Sequence, residues 1–95
     1  MKVISLDAST WREPEDFYSA LLPQLGAPAW HGHNLNALED SLGVGGINAL
    51  EPPFRVAING ADTLSEPMKR FLTDVERLFA DIRAETQKQI DLEVA

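Results

Sequence analysis

Met68, Phe71, Leu72, Val75, Leu78, Phe79 and Ile82 return every three or four residues without a miss. That period specifies an amphipathic helix with one apolar stripe. Ser65 or Glu66, ahead of Pro67, marks its start, and the pattern carries it to roughly Thr86. A strand-like run precedes it, Phe54-Arg55-Val56-Ala57-Ile58-Asn59, closed by Asn59-Gly60. Another follows, Ile90-Asp91-Leu92-Glu93-Val94, alternating as a half-exposed strand does. A long helix between two strands is a crossover. Crossovers favour parallel pairing with right-handed connections.

The first half completes the pattern. Lys2 to Leu6 carries Val3, Ile4 and Leu6 and reads as a buried first strand, broken by Asp7-Ala8-Ser9-Thr10. Pro14 suits a first helical turn, where its missing N–H costs nothing. Glu13, Glu15 and Asp16 complement the helix dipole there. Phe17, Leu21 and Leu25 make the buried stripe, with Tyr18 and Leu22 beside it; Gly26 is the C-cap, and Pro28 blocks continuation. A shorter helix is expected from Leu35 to Leu42, capped by Asn34 or His33. Leu35, Leu38 and Leu42 share one face. Gly43-Val44-Gly45-Gly46 reads as a loop; it lacks the lysine of a P-loop and follows a helix rather than opening one. Residues 47–53 continue the connection. The expected fold is a single small α/β domain over residues 1–95. Its three-stranded parallel sheet packs with about three helices in the order β-α-α-β-α-β.

Composition narrows the function. With no cysteine, there is no disulfide framework and no thiolate metal site. The N-terminal apolar run is too short for a signal peptide. No stretch approaches the ~20 apolar residues that span a bilayer. A cytoplasmic protein, monomeric when free, is the expectation. The net charge of −7 argues against direct nucleic-acid binding, which needs clustered Lys and Arg. Between Glu13 and Phe54 there is no Lys or Arg at all, while Glu13, Glu15, Asp16, Glu39, Asp40 and Glu51 lie there. Such a stretch is ordinary solvated acidity or a face awaiting a basic partner.

The residues that carry chemistry cluster in Pro28-Ala29-Trp30-His31-Gly32-His33-Asn34-Leu35-Asn36-Ala37-Leu38-Glu39-Asp40-Ser41-Leu42. Trp30 either closes the end of the core, the commoner role, or anchors a binding surface. His31 and His33, with Glu39 and Asp40 nearby, invite a metal or acid–base reading. No third histidine or cysteine supports a metal. RNA cleavage needs cations around the developing negative charge, and this region has none. Glu39 and Asp40 are a solvated helix face, or phosphate mimics that enter a basic pocket and bond to Arg. Asp81 and Glu85, four apart on the long helix, add a small acidic strip.

This segment resembles the signature of the barstar family, small intracellular inhibitors of ribonucleases. The match rests on Pro28, the aromatic Trp30, Gly32, Asn34-Leu35, Ala37-Leu38, Asp40 and Leu42. Length, acidity and element order agree over nearly the whole chain. The resemblance implies a protein inhibitor, not an enzyme, with no cofactor. Its loop and short helix would plug the active site of a secreted bacterial ribonuclease and protect the producing cell, as an antidote does to a toxin. It places Trp30 where the family has an interface tyrosine, and Asp40 where an aspartate enters the phosphate-binding pocket. It also implies partner-facing roles for His31, Gly32, Asn34, Asn36, Glu39, Asp81 and Glu85. Gly32 permits close approach, and Asn34 starts the helix. Two positions depart from well-studied members: Asn36 stands for an aspartate and Glu39 for a tryptophan. These changes point away from barnase itself and toward a related microbial ribonuclease with a differently shaped cleft. The alternatives are a barstar-like module for a non-ribonuclease protein, and a small hydrolase using His31 and His33.

Overall fold

The computed structural model describes residues 1–95. Strands β1 (Lys2–Asp7), β2 (Phe54–Asn59) and β3 (Ile90–Val94) form one parallel sheet with β2 in the centre. Ile4 pairs with Val56, and Val56 with Leu92, so residues of one parity stack across all three strands. Ile4, Leu6, Phe54, Val56, Ile58 and Ile90 are buried. The opposite parity, including Val3, Ser5, Asp7, Arg55, Asn59 and Glu93, faces solvent. β1 is therefore not the fully buried strand its apolar run suggested. Parallel sheets usually bury both faces. Here every other side chain is polar or small, apart from Val3, so one face stands open and the helices pack on the other.

Helix α1 (Pro14–Leu25) begins with proline and ends at Gly26, whose φ of 65° is left-handed. Asp16 closes the start, accepting the backbone N–H groups of Arg12 and Glu13 at 2.8 and 3.2 Å. Gly26 is required for a second reason. A Cβ there would lie 2.6 Å from the Cβ of Ala49. That contact lets the N–H groups of Ala49 and Leu50 reach the carbonyls of Gly26 and Leu25, at 3.1 and 3.0 Å. The long connection before β2 is thereby fastened to the end of α1.

Helix α2 (Leu35–Glu39) is followed without a break by a π-helical turn, Asp40–Val44. The expected helix thus reaches past Leu42 and takes in Gly43 and Val44, read above as loop. Helix α3 (Glu66–Thr86) matches its period, with Met68, Leu72, Val75, Leu78, Phe79 and Ile82 buried. Ser65 is its N-cap, and Gln87 ends it at a φ of 64°. A 23-residue apolar cluster joins all three helices to the sheet. The tryptophan inside it is Trp11, edge-on to Phe17 at 5.8 Å. No helix is long and apolar enough to cross a membrane.

Candidate protein-binding surface

Residues 27–34 run as a strap from α1 to α2. Two histidines anchor it, facing opposite ways. His31 is buried, only 5% exposed. The Gly32 carbonyl, 2.7 Å from Nδ1, can only accept, so Nδ1 carries the proton. Its Nε2 is hydrogen-bonded to the Ser41 hydroxyl at 2.9 Å, and the same hydroxyl lies 3.2 Å from the Leu38 carbonyl. This bond links the residue after Trp30 to the residue after Asp40, ten positions along the chain. His33 lies outside, donating from Nδ1 to Glu15 Oε1 at 2.6 Å and stacking on Tyr18 at 6.0 Å. Burial, and then the Glu15 charge, push the Tyr18 hydroxyl up to about 12.

The histidines therefore do not share an open site. The buried His31 ring supports the strap from within. Gly32 also acts inside the chain: a Cβ there would sit 2.9 Å from Asn34 Nδ2 and 3.1 Å from the Ala37 side chain. The room it leaves lets Asn34 cap α2, its Oδ1 accepting the Ala37 N–H at 2.8 Å. Asn34, rather than His33, is the cap.

What the strap and helix turn outward is different. Trp30 is 74% exposed. It does not close the core. Asn36, Glu39 and Asp40 are exposed, as are Asp81 and Glu85 on α3. None of these four carboxylates makes an internal hydrogen bond or ion pair. A cleft of about 260 Å³ opens between α2 and α3, lined by Leu35, Asn36, Glu39, Asp74, Arg77, Leu78 and Asp81. It gathers Asn36, Glu39 and Asp81; Trp30, Asp40 and Glu85 are not in its wall. Its charges are three carboxylates against one guanidinium, so it remains acidic. Arg77, which lies 3.9 Å from Asp74, was not foreseen there.

Two further features escaped the sequence reading. Val44, at the end of the π turn that opens with Asp40, is 81% exposed, an apolar side chain left in water. Lys88, 45 residues after Gly43 of that turn, touches its backbone. Both depend on the turn running on through Gly43 and Val44, which the glycines hid.

The family model described as Barstar (barnase inhibitor) matches residues 1–95, the entire length of this chain. The chain belongs to the Barstar family. A search of curated proteins finds no significant match. Members of the Barstar family are inhibitors rather than enzymes and bind ribonuclease partners. In this Barstar family chain, the signature segment forms the strap, α2 and the π turn.

Proposed function

We propose that this chain inhibits a microbial ribonuclease by occluding its active site. The observation that carries the reading is the placement of Trp30 and Asp40. Both are exposed, and the buried His31–Ser41 bond draws together the segments that bear them. Asp40 enters the enzyme's anion site as a phosphate mimic. Trp30 and the adjoining backbone exclude water around it, which strengthens charge-assisted bonds to the enzyme's Arg or Lys. Asn36, Glu39 and Asp81, in the cleft between α2 and α3, meet the basic surround, with Glu85 outside the cleft wall extending the acidic face. The net charge of −7 steers encounter with a cationic secreted bacterial enzyme. No bond is made or broken, and no cofactor or nucleic acid takes part.

The test is inhibition of a panel of secreted, guanyl-specific microbial ribonucleases, with Asp40→Ala in parallel. Stoichiometric inhibition is expected, with Asp40→Ala losing on the order of several kcal/mol of affinity. Barnase–barstar is itself among the systems behind that range, so the figure is a family measure rather than an independent derivation. Folding should stay within about 0.5 kcal/mol, because the side chain is exposed. Equal inhibition by parent and variant would remove Asp40 from the site. Glu39 at the cleft favours one second reading, a family member that binds a non-ribonuclease protein. Failure to inhibit any enzyme of the panel at micromolar protein would shift the assignment there.

A further inference from the structure

The end of the π turn is unusual. A helix commonly closes with a left-handed residue whose N–H folds back onto the last carbonyls. Gly45 stands at that place with φ 86° and ψ −179°, an extended conformation essentially reserved for glycine. The chain therefore leads away instead of folding back. The orphan carbonyls of Leu42 and Gly43 are met by a side chain distant in sequence. Lys88 Nζ donates to Leu42 O at 3.2 Å and to Gly43 O at 2.8 Å. On the other flank Glu51 Oε1 accepts the Gly46 N–H at 2.8 Å. A Cβ on Gly45 would meet both charged groups, at 3.2 Å from Lys88 Nζ and 3.3 Å from Glu51 Oε2.

Lys88 is itself aimed. Gln87 turns the chain left-handed at the end of α3, and Thr86 Oγ1 accepts the Lys88 N–H at 3.2 Å. The ammonium is partly buried, and it points at the negative end of a helical dipole.

We infer that Lys88 is a positioning residue for partner recognition, holding the Asp40–Val44 turn in its binding shape from the α3–β3 junction. The inference rests on the inhibitor reading for its binding consequence and on geometry alone for the lock itself. Pre-ordering a contact segment lowers the entropy lost on association, so its removal is read mainly as faster dissociation. The electrostatic expectation has the opposite sign. Removing a cation makes the protein more acidic and, through charge alone, favours a basic enzyme.

The experiment compares parent, Lys88→Met and Lys88→Arg. In the free protein, Lys88→Met is expected to speed amide exchange of residues 41–46 about tenfold, while the urea midpoint and the exchange of β2 and α3 stay unchanged. Against any ribonuclease the parent inhibits, Lys88→Met should dissociate about tenfold faster with association no slower. Lys88→Arg, which keeps a donor for both carbonyls, should restore the parent behaviour in both assays. Unchanged exchange in Lys88→Met would overturn the inference, as would binding as tight as the parent's or tighter. If the parent inhibits no enzyme of the panel, the inhibitor reading fails and the exchange comparison alone decides the lock.

Discussion

At the scale of the residue, polar side chains divide between those paired inside the fold and those left exposed and unpaired. His31 and Ser41 are paired inside: both are buried, and each is the other's hydrogen-bond partner. Ser41→Ala is therefore expected to cost about 1–3 kcal/mol, because it leaves the buried His31 Nε2 without its hydrogen-bond partner. Urea denaturation checks this, and no measurable loss would mean the bond is not made in solution. Glu39, Asp40, Asp81 and Glu85 are of the other kind, exposed and unpaired. The residue types alone did not sort these groups. A histidine between a tryptophan and a glycine suits a ligand, a catalyst or a buried brace equally well. Only the Ser41 hydroxyl at one ring nitrogen and the Gly32 carbonyl at the other make it a brace.

At the scale of the element, periodicity was nearly sufficient where an apolar face was long. α3 runs from Glu66 to Thr86, as its stripe requires. Phe79 lies on that stripe and is fully buried. Phe79→Ala is expected to lower stability by about 3–5 kcal/mol, measured from the denaturation midpoint, by lost transfer energy plus a cavity. A loss below about 1 kcal/mol would show that the helix does not pack on the sheet through this residue. The shorter helix was less legible. Gly43 and the Gly45-Gly46 pair signalled a loop, yet the backbone continues helically to Val44. A π turn shifts the hydrogen bonds by one residue, which no apolar period records. Its end also depends on Lys88, too distant in sequence for local propensity to register.

At the scale of the whole molecule, the strap, α2 and the π turn sit beside α3, so acids from two distant segments share one cleft. The strap is also tied back to α1 through His33, Glu15 and Tyr18. That packing has a consequence for stability at high pH. Tyr18 is the chain's one tyrosine, and burial raises its hydroxyl from 10.0 to about 12. The unfolded chain gives up this proton first, so the folded state holds more protons in that interval. The contribution is present in full below 10.0 and is lost as pH rises toward about 12. Tyr18→Phe should flatten this loss, seen as a smaller drop in urea midpoint between about pH 9 and about pH 11. Parallel slopes for parent and variant would show that the hydroxyl ionises equally in both states.

Element order, the parallel α/β class, the family and the segment that bears the signature were all legible in the chain of residues. These follow from local periods, caps and breakers, each written within a few neighbouring residues. Tertiary structure decided which tryptophan is core and which is surface, for Trp11 and Trp30 differ in packing and not in kind. It turned His31 inward, brought Asp81 to Glu39, and set Lys88 on the carbonyls of a turn whose Gly43 lies 45 residues away. Such contacts join segments whose approach depends on how the entire chain closes around its core. No local pattern encodes that approach, because burial and partner choice are properties of the packed whole.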